Sequence, residues 1–285
     1  MEIMLNKVIV IPNSTKEKAI GVSSDIEKIL NGLGIEVFVD KDYSDATSSV
    51  PSSTAPKDAD LIIVVGGDGS VIDASGLAES LDIPILGVNL GRVGYLSEVE
   101  PECLDLLSRL KSGDYEVEER MLLSAEILRA DGSVETSERM AVNDVVISHD
   151  NYFGISDFRI ENDKGDSIKY RADGVILSTP LGSTAYSLSA GGPIIAHGLD
   201  CIAVTPVCSH SLFNRSIIFD PNETVSVHNQ AESNLNVSVD GRFFAKMAKN
   251  EVCRIKRSSK RIKIAVFKKD NMFSALFKKI RDLGD

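Results

Sequence analysis

Gly66-Gly67-Asp68-Gly69-Ser70 sets three glycines around one carboxylate. Glycine lets the backbone approach a ligand closely. A helix that begins just after such a turn offers free N–H groups and a positive dipole end to an anion. Asp68 is the one side chain of this loop able to take a proton. Like charges repel, so a carboxylate beside a phosphate does not serve to attract it. It serves to hold a hydroxyl that attacks the phosphate, or to hold Mg²⁺. The competing explanation is a tight turn with the aspartate as helix N-cap.

Three later stretches also have residue types suited to a polar ligand. Asn143-Asp144 lies among alternating apolar residues. An amide and a carboxylate at a strand end can together grip a ribose diol, and a polar pair on an edge strand is the plainer alternative. Arg171-Ala-Asp173 leads into Gly174-Val-Ile-Leu-Ser178, then Thr179-Pro-Leu-Gly182 and a run to Gly191-Gly192-Pro193. Small hydroxyls beside a tight turn give hydrogen-bond donors without bulk, and Tyr186 adds an aromatic face for a base. Turn formation and packing are the ordinary uses of the same residues. Thr205–Arg215 contains His210, which can be a base, a ligand or a hydrogen-bonded loop histidine. No Walker A sequence, no GxGxxG opening a helix and no GxSxG elbow occurs, so neither a P-loop kinase nor a simple dehydrogenase is supported.

These residues need elements to position them. Leu61-Ile-Ile-Val-Val65 has no polar side chain and reads as a parallel strand buried on both faces. Lys7–Pro12, Ile35–Val39 and Ile83–Val88 read as further strands. Helices are expected from the Asn13-Ser14-Thr15 cap to about Asn31, over about 70–80, and around Pro101–Lys111. Residues 41–58 read as a loop. The order β-α-β-β-α-β predicts a doubly wound, largely parallel sheet, with ligands outside the carboxyl ends of its strands. There Gly66–Gly69 and Asn89–Gly94 can face one cleft. From Tyr115 the pattern changes to short segments alternating every second residue: Ser124–Arg129, Met140–Ser148, Asp157–Glu161, Val225–His228, Leu235–Val239, Cys253–Lys256 and Ile262–Phe267, with a further strand at Val175–Thr179 before the Pro-Leu-Gly turn. This predicts an antiparallel β-rich domain. A last amphipathic helix, about Met272–Leu283, is expected to pack back on the first domain. The expected division is thus 1–117 joined by 271–285, and 118–270.

Composition bounds the function classes. The chain has 285 residues, 43% hydrophobic and 26% charged, with net charge −11. That predicts a packed soluble protein without a global nucleic-acid footprint. The basic run Arg254–Lys263 reads as the solvated face of a strand. Cys103, Cys201, Cys208 and Cys253 form no CxxC pair, so a zinc site is not expected. Scattered cysteines and no signal-like start predict a cytoplasmic protein with reduced, mostly buried thiols. No run approaches the ~18 apolar residues of a membrane span.

Taken together, the motifs resemble the NAD kinases. They come in that family's order: GGDGS at Gly66–Ser70, NLGRVGYL at Asn89–Leu96, Asn143-Asp144, DGVILSTPLGSTAYSLSAGGP at Asp173–Pro193, and TPVCSHSLFNR at Thr205–Arg215. GGDG alone is shared with lipid and sugar kinases. The Ser178–Pro193 stretch is the specific part. The resemblance implies an α/β domain followed by a β-rich NAD-binding domain, with NAD between them. It implies phosphoryl transfer from ATP or polyphosphate to the 2′-hydroxyl of the adenosine ribose of NAD. It also implies Mg²⁺ or another divalent cation, with no ligands identifiable, and a homodimer or homotetramer that completes the NAD site. On the same basis Asp68 is the catalytic base. Gly66, Gly67 and Gly69 form the phosphate loop. Asp68, Gly69, Tyr95, Asn143, Asp144, Arg171, Asp173, Ser178, Thr184, Ala185, Tyr186 and Ser189 meet NAD. The chain departs from the family where Asp144 replaces Glu, Ser70 Thr, Tyr95 Phe, Leu181 Thr and Ser209 Pro. The alternatives are a GGDG-type lipid or sugar kinase and a non-catalytic NAD sensor.

Overall fold

Short β-branched runs alternate with amphipathic helices in the first part of the chain. The computed structural model describes residues 5–41, 55–91, 94–137, 139–150 and 154–267. Its elements open with β1 (Lys7–Pro12), α1 (Glu17–Gly32), β2 (Glu36–Val39), β3 (Leu61–Gly66), α2 (Asp68–Leu81), β4 (Ile85–Asn89) and β5 (Ser97–Val99). A 3-10 turn over Pro101–Leu107 runs into α3 (Ser108–Lys111). Then follow β6 (Glu116–Leu128), β7 (Val134–Thr136), β8 (Asp144–His149), β9 (Ser156–Asn162), β10 (Ser167–Ala172) and β11 (Gly174–Ser178). A 3-10 turn at Gly182–Thr184 and α4 (Tyr186–Ser189) precede β12 (Ile202–Val207), β13 (Ile217–Phe219), β14 (Val225–Asn229), β15 (Leu235–Val239), β16 (Arg242–Met247) and β17 (Val252–Val266). Two compact units result, one of residues 1–119 with 262–285 and one of residues 120–261.

The first unit is the expected α/β layer. Strands β2, β1, β3 and β4 lie side by side and all parallel, and the end of β17 adds a further parallel partner through Ile264 against Ile85. Val8, Val10, Leu61, Ile63 and Val65 share a core with Ala19, Ile26 and Leu30 of α1. Their strand neighbours Ile9, Ile62 and Val64 point to the opposite face and are equally buried, while α2 packs on β3 and β4. Burial on both faces is why the β3 sequence has no alternation. Two helix starts differ from expectation. α1 begins at Glu17 after Lys16, with no side-chain cap. Asn13 instead turns back on its own chain, its Oδ1 accepting from the Thr15 N–H and hydroxyl. α2 begins at Asp68 rather than Ser70, and Gly67 is its N-cap residue. The helix expected around Pro101–Lys111 is mostly a 3-10 turn, opened by Pro101.

The second unit is a two-sheet sandwich of antiparallel strands. One sheet runs β13-β12-β11-β8-β15-β16. The other pairs β10, β9, β14 and the first part of β17, with β6 and β7. Val145, Ile147, Val175, Leu177 and Val237 of one sheet share a core with Phe158, Ile160, Val225, Val227 and Ile255 of the other. The two strands expected at Cys253–Lys256 and Ile262–Phe267 are one strand, β17. Its basic run is spread over acidic partners: Arg254 and Lys256 approach Glu126, Arg257 and Arg261 meet Asp200, and Lys263 meets Asp82. Cys201 and Cys253 are buried, whereas Cys103 and Cys208 are exposed. The helix expected at Met272–Leu283, most of the 41–58 loop, and Arg92-Val93 of the NLGRVGYL motif lie outside the described residues. No helix among the described residues is long and apolar enough to cross a membrane.

Candidate active site

In the first unit the glycine loop, the Asn89 loop and the start of α1 all follow carboxyl ends of adjacent parallel strands, where ligands of such sheets bind. Gly66 ends β3 and Gly67 caps α2. Asp68 and Gly69 are the first residues of the helix, so Asp68 is not the N-cap. Its carboxylate turns away from its own helix. Oδ2 accepts the Tyr95 N–H at 2.8 Å and Oδ1 the Leu96 N–H at 3.1 Å. Gly94 makes this possible, because a Cβ there would lie 2.0 Å from Asp68 Oδ1. The carboxylate is thereby fixed in orientation, and each oxygen keeps a lone pair for a further hydrogen. Tyr95 joins this group through its backbone, and its phenol is pushed up by burial and by the Asp68 charge. Asn13, read from the sequence only as a cap, donates through Nδ2 to the Ser70 hydroxyl at 2.7 Å.

In the second unit Asn143-Asp144 opens β8 and pairs with the far end of β11, Asp144 opposite Ser178. Cross-strand partners share one face of a sheet. Asp144 and Ser178 are both buried, and the Ser178 hydroxyl has no hydrogen-bond partner among the described residues. The following turn is bound to the same place. Thr179 Oγ1 donates to the Val142 carbonyl (2.7 Å) and accepts the Gly182 N–H (2.9 Å), while the Thr179 N–H donates to the Asn143 carbonyl. Gly182 lies so close that a Cβ would stand 2.0 Å from the Asn143 oxygen. Many of the small hydroxyls therefore serve the fold. Ser183, Thr184 and Ser187 are buried, with hydroxyls bonded to the Pro180 carbonyl, the Leu181 carbonyl and Thr205. Ala185 is half-buried, whereas Tyr186 and Ser189 of α4 are exposed.

Asp240 is the residue the motifs did not single out. It sits in the Asp240-Gly241 turn between β15 and β16, with both residues at positive φ. Its carboxylate accepts three successive N–H groups, those of Val142 (2.8 Å), Asn143 (2.8 Å) and Asp144 (3.0 Å). Burial and the Asp240 charge push the Asp144 carboxyl up to about 7. Asp240 is raised too, since burial outweighs its three donors. The structure does not bring Arg171 and Asp173 to this group. Asp173 precedes Gly174, five residues along β11 from Ser178, or roughly 16 Å of extended strand. Around them the His210 N–H donates to the Arg171 carbonyl, and His210 itself is exposed.

Among the described residues no three carboxylate, imidazole or thiol groups converge on a point able to hold a metal. Mg²⁺ is commonly held by only one or two carboxylates together with substrate phosphates. Asp68, oriented at the phosphate-type loop, fits that arrangement.

Two family models match the chain. One, the ATP-NAD kinase N-terminal domain, covers residues 8–115, and the other, the ATP-NAD kinase C-terminal domain, covers residues 142–267. The chain is 35% identical to the NAD kinase of Lachnoclostridium phytofermentans, over 98% of this chain and 100% of that protein. It is 33% identical to the NAD kinase of Geotalea daltonii, over 97% and 99%. Its fold matches that of yeast NADH kinase solved with NADH, with a TM-score of 0.82 at 22% identity over 96% of this chain and 86% of that one. An NAD kinase from Archaeoglobus fulgidus solved with ATP gives a TM-score of 0.74 at 25% identity, over 97% and 99%.

Proposed function

The chain belongs to the NAD kinase family, and from that premise we propose that Asp68 is the base that readies the 2′-hydroxyl of the adenosine ribose of NAD for phosphoryl transfer from ATP. The hydroxyl proton passes to Asp68. The hydroxyl oxygen attacks the γ-phosphorus, and the bond from that phosphorus to the bridging oxygen breaks. ADP leaves with the electron pair, and NADP is formed. The observation that carries this assignment is the fixed carboxylate, held by the Tyr95 and Leu96 N–H groups and seated on Gly94. Phosphoryl transfer depends mainly on alignment and charge stabilisation, and a carboxylate that cannot swing away meets the first need.

Gly66, Gly67 and Gly69 admit the phosphates to the amino end of α2. Asn143 and Asp144 hold a ribose diol, with Ser178, whose buried hydroxyl has no partner among the described residues, beside them. Thr184, Ala185, Tyr186 and Ser189 line the rest of the nucleotide, Tyr186 offering its exposed ring to a base. A divalent cation entering with ATP would neutralise charge at the phosphates, and Asp68 is the residue that would hold it there. Arg171 and Asp173 are assigned to the NAD site of a second copy, in a homodimer or homotetramer. The position of Asp173, just before β11 and at the other end of that strand from the partner of Asp144, supports this.

The test is NADP formation from NAD, ATP and Mg²⁺, followed through a strictly NADP-dependent dehydrogenase. Asp68→Asn should fold normally and lose about 10²–10⁴-fold in turnover. Wild-type turnover in the folded variant would remove Asp68 from the base role. The matches to both family models leave a GGDG-type lipid or sugar kinase without support.

A further inference from the structure

Lys16 occupies a place that stability does not explain. It is the N-cap residue of α1 and makes no capping bond with its side chain. A cation at the amino end of a helix meets the positive end of the dipole and is disfavoured there. The side chain does not escape to solvent. It reaches across to the amino end of α2, where its Nζ would lie 3.7 Å from a Cβ placed on Gly67, the N-cap residue of that second helix. On the other side Nζ would lie 3.1 Å from a Cβ on Gly91. The ammonium thus sits in contact distance of both loops, tightly only at Gly91.

Among the described residues its hydrogen-bond partner is neutral. Nζ donates to the Leu90 carbonyl at 3.1 Å, and among the described residues it meets no carboxylate. Some other cations of the same unit do have acidic partners: Lys7 meets Asp58 and Glu36, Arg109 meets Asp114, and Lys263 meets Asp82. An ammonium has three donors, and among the described residues one of them is used. A half-buried cation held by a carbonyl, beside two positive helix ends, is repelled by its surroundings until an anion arrives. Local rules broken without structural gain mark functional positions.

We propose that Lys16 is a catalytic residue of the phosphoryl transfer, contacting the terminal phosphate of ATP and stabilising the charge that it carries through the transition state. This rests on the reaction assigned above. Asp68 addresses the acceptor hydroxyl and Lys16 the donor, so one loop region serves both partners with groups of opposite charge.

The experiment compares wild type, Lys16→Met and Lys16→Arg by calorimetric titration with Mg-ATP and, separately, with NAD, alongside steady-state kinetics and thermal melting. Lys16→Met keeps the length of the side chain and removes its charge. It should weaken Mg-ATP binding about 10–100-fold and lower turnover about 10²-fold. NAD binding should be unchanged, and the melting temperature equal or higher. Lys16→Arg should recover much of the ATP affinity. Equal Mg-ATP affinity and turnover in Lys16→Met would overturn the proposal. So would a parallel loss of NAD binding and melting temperature, which would make Lys16 a structural tie to Leu90. A wild-type protein that binds Mg-ATP yet forms no NADP would overturn the reaction, while the ATP titration of Lys16→Met would still decide for or against Lys16.

Discussion

Asp144 is an acid whose carboxyl sits near 7 when folded and near 3.8 when free. Burial is the first cause and the neighbouring Asp240 charge the second. The folded chain therefore binds more protons here than the unfolded chain between those two values. In that window the contribution of Asp144 to stability falls as pH rises. Above about pH 7 the carboxylate is charged at a cost, and Asp144→Asn should melt no lower than wild type at pH 8. Ligand binding runs the other way. A ribose diol donates to a carboxylate, so affinity for NAD should rise as Asp144 ionises. At pH 6 the Kd should be about tenfold weaker than at pH 8. Calorimetric titration of NAD across pH 5.5–9 checks this, with Asp144→Asn expected to give a flat profile. A flat wild-type profile would mean that the neutral acid binds as well.

The elements that carry these side chains are tied by contacts far apart in sequence. The turn between β15 and β16 holds the start of β8, because Asp240 accepts the N–H groups of Val142, Asn143 and Asp144. Asp240→Ala would strand three donors. It should destabilise the second unit by about 1–3 kcal/mol per N–H left dry and raise the KM for NAD, while Asp240→Asn, which keeps an acceptor oxygen, should lose less on both counts. Urea unfolding and the KM for NAD separate these outcomes. No motif singles out Asp240, since its partners stand 96–98 positions away. Lys16 was illegible for the same reason, its carbonyl partner being 74 positions on. What was legible rested on local physics. The β3 run, the glycine turn and the β-α-β-β-α-β order follow from apolar patterning, and the alternation of Leu235–Val239 gave β15 to the residue. Strand β12 escaped notice because Pro206 interrupts it and its apolar residues do not alternate with polar ones. The density of Ser and Thr after β11 misled in a different way. Thr179, Ser183 and Thr184 spend their hydroxyls on main-chain carbonyls, so composition alone could not tell donors to the ligand from donors to the turn.

At the scale of the whole molecule, a chain of net charge −11 handles two anionic nucleotides. Long-range attraction therefore does not gather the substrates, and local cations and N–H groups must hold them. Arg171, in β10, is proposed as one such cation, yet Asp173 beside it lies roughly 16 Å along β11 from the Asp144 end. If those two residues serve a neighbouring copy, the defects of two variants should complement. Asp68→Asn removes the base from its own site, and Asp173→Ala removes a nucleotide contact from the neighbour's site. Each variant alone should be nearly inactive. In a mixed dimer one site carries both defects and the other carries neither. Random mixing by co-expression should then restore about a quarter of wild-type turnover. Should Asp68 and Asp173 of one copy serve a single site, every site in the mixture would carry one defect. Turnover would then stay at the average of the two variants. Measuring NADP formation in the unfractionated co-expressed mixture, and in the mixed dimer purified on two different tags, where about half of wild-type turnover is expected, separates these cases directly.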